Sequence, residues 1–134
     1  MGECIFCKIA NGEIPAKIIA ESEKSTAFLD INPLSKGHTL IVPKAHAETV
    51  LDLSEDDWCD MNRLVKNVVA RIYDRLSPDG FNIGINMHKA GGQAVEHIHI
   101  HIIPRWQGDG GGSVHTIVHN PPKESLEEIY NQLS

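Results

Sequence analysis

Three histidines alternate with three isoleucines in the stretch AVEHIHIHIIPRW, residues 94–106: His97, His99 and His101, interleaved with Ile98, Ile100 and Ile102. Near neutral pH an imidazole can be a metal ligand, a proton switch, or a catalytic nucleophile or acid–base group. In a strand, residues two apart share a face and lie roughly 6.6–6.8 Å apart. The three rings then share one face, and the isoleucines pack on the other. His97 and His101 would be about 13 Å apart along a straight strand. A zinc–nitrogen bond is only about 2.0–2.1 Å long, so one ion would struggle to hold both ends. At least one ring must do something else. An ordinary solvated face would carry Thr, Lys or Glu, not three histidines in a row.

A second reactive pair is Cys4 and Cys7 in CIFC. Three cysteines make no disulfide framework, and C-x-x-C reads as a metal site or a redox motif. A thioredoxin-like pair would sit in a βαβ pattern, which is missing here. Cys59 falls on a long helical pattern beside Trp58 and reads as a core or boundary thiol. Among the eight histidines, His88, His115 and His119 read as exposed loop residues without a role.

These groups need a scaffold. A chain of 134 residues reads as one domain, 1–134, long enough to bury a real core. The net charge of −6 and the lack of a Lys/Arg cluster weigh against a nucleic-acid groove binder, but not against a small phosphate ligand. No apolar run is long enough for a bilayer and no leader precedes the first elements, so the expectation is a cytoplasmic protein without a membrane partner.

The clearest element is a helix over SEDDWCDMNRLVKNVVARIYDRL. Ser54 is its N-cap, with Asp57 three positions on in a capping-box arrangement. Trp58, Met61, Leu64, Val65, Val68, Val69, Ile72 and Leu76 recur at three- and four-residue steps on one face. Ser77-Pro78-Asp79-Gly80 ends it. Before it come a short helix or knuckle at CIFCKIA, strands at AKIIAES and STAFLDI joined near Glu23 and Lys24, and a strand HTLIVP stopped by Pro43. After it come a strand FNIGIN, a turn HKAGGQ, the histidine strand, a flexible GDGGG loop and a short amphipathic helix SLEEIYNQL. The class is α+β, with an antiparallel sheet of about five strands, one long helix and a short C-terminal helix. Neither G-x-G-x-x-G nor a P-loop is present, so a dinucleotide fold and a P-loop NTPase are unsupported.

HIHIHII, together with CIFCKI, FLDINPLSKGHTLIVPKAH, GFNIGIN and AGGQAVEHIHIHIIPR, resembles the histidine triad (HIT) superfamily over almost the whole chain. It is most similar to the Hint-type branch of nucleoside phosphoramidases, in its zinc-containing bacterial and archaeal form. The resemblance implies a HIT-like fold, a homodimer and a structural zinc ion held by Cys4, Cys7, His46 and His97. It implies His99 as the nucleophile toward the α-phosphorus of an AMP-type purine nucleoside phosphoramidate, giving a nucleotidyl-histidine intermediate. His101 and His38 are expected around the phosphate and leaving group. Asn86, Gln93 and the Gly91-Gly92 backbone are expected to contact the phosphate, Asp30 and Ile31 the ribose, and Phe6, Ile9 and Phe28 the base. One departure is Ala94, where many Hint-type proteins carry a hydroxyl that could bond the phosphate or leaving nitrogen.

Competing readings are a dinucleoside polyphosphate hydrolase, a weakly catalytic purine-nucleotide-binding module, and a metal-dependent oxygenase using H-x-H. A diadenosine polyphosphate turned over in preference to a phosphoramidate favours the first. Nucleotide binding that survives His99→Ala, with no covalent adduct, favours the second. Redox-active iron or copper at the triad favours the third.

Overall fold

The computed structural model describes residues 3–134. The elements follow in the order α1 (Ile5–Ala10), β1 (Ile18–Glu21), β2 (Ser25–Leu29), β3 (Thr39–Pro43), α2 (Glu55–Leu76), β4 (Gly80–Gly84), β5 (Ile100–Arg105) and α3 (Leu126–Leu133). The five strands form one sheet in the order β1-β2-β3-β5-β4, and every pairing is antiparallel. The expected α+β class and strand number are those found. Among the described residues, no helix is long and apolar enough to cross a membrane.

Alternation along the central strands separates two apolar layers. Ala27, Ile41, Ile100 and Ile102 point to one side, where α2 packs Met61, Leu64, Val68 and Ile72 on them. Phe28, Leu40 and Val42 point to the other side, where α1 supplies Phe6 and Ile9. Ile100 and Ile102 thus belong to the α2 layer, leaving the histidine side chains on the α1 layer. The side-chain periodicity is what sends the two residue types to opposite faces.

At the start of α2 the Ser54 hydroxyl accepts from the Asp57 N–H at 3.1 Å. The other half of the expected capping box is replaced by an ion pair, Asp57 lying 3.9 Å from Lys24 Nζ. The helix ends on Ser77 in the left-handed region, φ 52°, whose N–H bonds to Tyr73 O.

Two other expectations change. The histidine strand begins at Ile100, so of the triad only His101 lies in the regular ladder. The pairing of β3 with β5 stops at Ile41 opposite Ile100. Beyond it Pro43 has no N–H to give, and its carbonyl is taken by the His97 ring. The Ile98 N–H turns instead to Ala47 O at 2.7 Å. Cys59, expected in the core or at its boundary, is exposed, because α2 turns the face beginning at Asp60 and Met61 inward.

The GDGGG segment is tied down at its aspartate. Asp109 receives a bidentate pair from Arg105 at 2.7 Å per bond, and it also accepts from the Trp106 and Gly111 N–H groups. Those donors, the guanidinium first, hold the Asp109 carboxyl below the usual carboxylate range.

Candidate active site and metal centre

Cys4 caps the N-terminus of α1, and one turn places Cys7 beside it, the Cys7 N–H pointing at Cys4 Sγ. His46 follows the end of β3, and His97 lies in the bend before β5. Cys4 Sγ is 3.3 Å from His97 Nδ1, Cys7 Sγ is 3.3 Å from His46 Nδ1, and Cys7 Sγ is 3.5 Å from His97 Nδ1. All four ligand atoms lie within 4.8 Å of one another. A tetrahedral ion with bonds of about 2.3 Å to sulfur and 2.0–2.1 Å to nitrogen needs roughly 3.5 Å between S and N. The spacing fits such an ion. Burial, followed by the neighbouring Cys4, pushes the Cys7 thiol up to about 11. Two adjacent thiolates thus require a cation to coexist.

The backbone fixes the proton positions of the buried rings. His97 Nε2 lies 2.9 Å from Pro43 O. A carbonyl only accepts, so Nε2 carries the hydrogen and Nδ1 offers its lone pair to the cysteine side. His99 Nδ1 lies 2.8 Å from His97 O, which leaves its Nε2 lone pair free. His38, only 2% exposed, accepts the Leu34 N–H on Nδ1 at 3.1 Å, so its hydrogen is on Nε2. That Nε2 lies 3.0 Å from His101 Nδ1 and 3.6 Å from Asp30 Oδ2. His101 therefore accepts on Nδ1 and keeps its own hydrogen on Nε2.

Burial disfavours the charged forms of His38, His97 and His101. It lowers His38, against the opposing Asp30 charge, and it lowers His97. Burial, followed by the neighbouring His99 and His38 rings, pushes His101 down to about 4. The His99 and His101 ring centroids are 4.9 Å apart, and the Phe6 ring meets His99 edge-on at 5.0 Å. His99, with Nδ1 held by a carbonyl and Nε2 left over, thus sits beside a ring with an N–H to donate.

The remaining expected residues distribute unevenly. One Asp30 oxygen accepts the Asn32 N–H at 2.9 Å and the other faces His38. Ile31 beside it is 90% exposed, available to a ligand but packed on nothing. Phe6, Ile9 and Phe28 form a closed cluster with Leu40 and Val42. Gly92, at φ 91°, takes the left-handed backbone of the Gly-Gly turn, and the Asn86 amide reaches its carbonyl at 3.4 Å. Gln93 differs from the expectation of a phosphate donor. Its amide hydrogens go to Glu48 O and Val95 O, and its oxygen accepts the His88 N–H, so here the side chain clamps the turn. His88, His115 and His119 are exposed, as expected.

Sequence reasoning missed two polar residues. Asp60 is buried in α2 and receives hydroxyl bonds from Ser22 and Ser25, the latter at 2.7 Å. Arg105 binds Asn82 Oδ1 as well as Asp109, and it shares a cavity with His101. An acid inside an apolar helical face was a readable signal for the first. The two-residue step from His101 through Ile103 to Arg105 was one for the second.

The profile of the HIT domain matches residues 11–108. An uncharacterised HIT-like protein of Methanocaldococcus jannaschii is 52% identical over 107 residues, covering 80% of this chain and 82% of that protein. The adenosine 5′-monophosphoramidase hnt1 of Schizosaccharomyces pombe is 45% identical over 102 residues, covering 76% and 74%. A zinc-bound histidine triad family protein from Mycobacterium smegmatis superposes with a TM-score of 0.76 at 34% identity, covering 92% and 85%. With the HIT profile spanning the sheet and the histidine row, the chain belongs to the HIT domain family, in its Hint-type branch.

Proposed function

We propose that the chain is a nucleotide hydrolase that cleaves the phosphorus–nitrogen bond of purine nucleoside 5′-phosphoramidates through a nucleotidyl intermediate on His99. The observation that carries this reading is the His99 tautomer. Its Nδ1–H is held by the His97 carbonyl, so Nε2 is the nitrogen left to present a lone pair. The similarity to a fission yeast adenosine 5′-monophosphoramidase supports the substrate class.

In the first step His99 Nε2 forms a bond to the α-phosphorus. The phosphorus–nitrogen bond breaks with its electron pair on nitrogen, and the amine takes a proton from solvent. The ring in the intermediate carries both phosphorus and hydrogen and is cationic, a charge that the His97 carbonyl oxygen faces. In the second step water attacks phosphorus, gives up one proton, and returns the bonding pair to Nε2. The proton taken up first is matched by the one released second. His101 donates its Nε2–H to a phosphate oxygen, and His38 holds that ring in the donating tautomer. Asp30 and Ile31 take the ribose and the Gly91-Gly92 turn approaches the phosphate. Phe6, Ile9 and Phe28 open to admit the base, while Asn86 and Gln93 hold the turn.

Cys4, Cys7, His46 and His97 would hold Zn2+, whose closed four-ligand shell supplies a structural tie and no open catalytic position. The fit of the sulfur–nitrogen spacings and the lone pair on His97 Nδ1 support that ion.

The test pairs adenosine 5′-phosphoramidate with a diadenosine polyphosphate, and adds mass spectrometry of a trapped adduct. The expected result is faster phosphoramidate turnover, a nucleotidyl group on His99, and a loss of more than about a thousandfold in kcat for His99→Ala. Turnover of the polyphosphate alone, or no adduct on His99, would overturn the reading.

A further inference from the structure

We propose that His88 is a positioning residue for the Gly91-Gly92 turn, its ring acting through Glu48 to hold a backbone conformation that glycine alone adopts without strain. This rests on the phosphoramidase reading above and goes beyond it to a residue outside the histidine row.

Among the described residues, Ser77 and His88 are the two with positive φ that are not glycine. Ser77, at φ 52° and ψ 49°, is in the ordinary left-handed region where a helix C-cap belongs. His88 is not. Its φ of 61° and ψ of 173° lie in a region that residues with a Cβ rarely enter, and surrounding contacts must hold it there. Its N–H donates to Gln93 Oε1 at 2.8 Å. Its carbonyl accepts the Gly91 N–H at 3.1 Å and the Gln93 N–H at 3.0 Å. The same Gln93 side chain donates to Glu48 O at 2.8 Å. The His88 ring meets the other end of Glu48, its Nδ1 lying 3.4 Å from the carboxylate. A loop of contacts thus closes through His88, Gln93 and Glu48.

That loop of contacts ties the turn to the histidine row where no ladder does. β4 ends at Gly84 and β5 begins at Ile100, so the turn lies between strands. Its anchor is the segment around Glu48, because the adjacent Ala47 carbonyl takes the Ile98 N–H at 2.7 Å, between His97 and His99. Gly91 and Gly92 sit on the far side of the clamp, where the Asn86 amide reaches Gly92 O at 3.4 Å. A glycine at position 88 would adopt this backbone freely. Histidine brings both the strain and, through Glu48, the tether that resists it.

The experiment measures kcat and KM for adenosine 5′-phosphoramidate, and Tm, in His88→Ala, His88→Gly, Glu48→Ala and the double variant of His88→Gly with Glu48→Ala. His88→Ala keeps the strain and loses the tether, so kcat is expected to fall about tenfold while KM changes less than about twofold. His88→Gly loses both, and its kcat is expected to stay within about twofold of the wild type. It is also expected to melt above His88→Ala, the reverse of the usual order of alanine over glycine. Glu48→Ala alone should lose kcat as His88→Ala does, about tenfold, and change it less than about twofold when combined with His88→Gly. Should His88→Ala fail to fold, the two Glu48→Ala comparisons decide alone. Three results would overturn the proposal while leaving hydrolysis through His99 intact. They are an unchanged kcat in Glu48→Ala, equal kcat losses in His88→Ala and His88→Gly, and a higher Tm for His88→Ala than for His88→Gly. Absence of hydrolysis in the wild type overturns the phosphoramidase reading and this role with it.

Discussion

A carbonyl accepts and an amide donates, and that asymmetry alone differentiates the rings of the triad. His97 and His99 each give an N–H to a backbone oxygen, but through opposite nitrogens, Nε2 and Nδ1. One is left with a lone pair facing two cysteines, the other with a lone pair free of protein partners among the described residues. His101 receives its tautomer second-hand, from Leu34 through His38. The same burial has a consequence for acid stability. His101 sits at about 4 when folded and near 6.5 when unfolded. Between those values the unfolded chain binds a proton that the folded chain refuses, so stability falls as pH drops from 6.5 through 4. From pH 7 to 5 this ring contributes a loss of at most about 2 kcal/mol. Urea titrations at both pH values check it: His101→Gln is expected to lose less on acidification than the wild type. Equal losses would mean that His101 titrates as a solvated ring.

Between elements, the buried Asp60 carboxylate joins α2 to the β1–β2 hairpin, accepting from Ser22 and Ser25 at the hairpin's turn. Burial alone would push this carboxyl up, but the two hydroxyls, helped by the Arg63 charge and the Lys24 N–H, hold it below the usual range. Asp60→Ala removes both bonds and strands the hydroxyls, so a loss of about 2–4 kcal/mol in unfolding free energy is expected. Asp60→Asn, which retains an acceptor, should lose less in the same denaturant titration. This residue also marks what a linear reading reaches. The apolar period of α2 and the alternation of the strands are local, so those elements were legible from Met61 to Ile72 and from Ile98 to Ile102. Asp60 stood out as an acid in that apolar face, but its partners were not legible, because they lie 35 and 38 residues away. The true start of β5 was hidden for a related reason: it depends on what Pro43 can no longer pair with. In the site, the shared histidine face followed from spacing. The ligand set and the nucleophile came from family resemblance, and the His38–His101 contact and the Gln93 clamp required the fold.

Across the whole molecule, the candidate zinc ligands tie α1 to two segments that the β3–β5 pairing already brings side by side, the turn after β3 and the bend before β5. A metal bound only by the folded chain adds its binding free energy to folding. Its removal should therefore loosen α1 first, because that six-residue helix is too short to persist by itself. The main sheet and α2 keep their own core, so the expected outcome is a less stable protein, not an unfolded one. A loss of about 3 kcal/mol corresponds to a fall of roughly 10 °C in Tm for a chain of this length. Elemental analysis should find about one zinc per chain in the wild type, and less in Cys4→Ser and Cys7→Ser. Thermal melts of those variants, and of chelated wild type, should show the same fall, since both routes remove one tie. The position of His97 adds a kinetic signature. Its ring binds the metal while its carbonyl holds His99 Nδ1, so loosening the ligand turns the nucleophile without altering the ribose contacts. The loss should therefore appear in kcat more than in KM. Unchanged melting after complete metal removal would show that the four side chains are held by packing alone, and that His97 orients His99 without help from an ion.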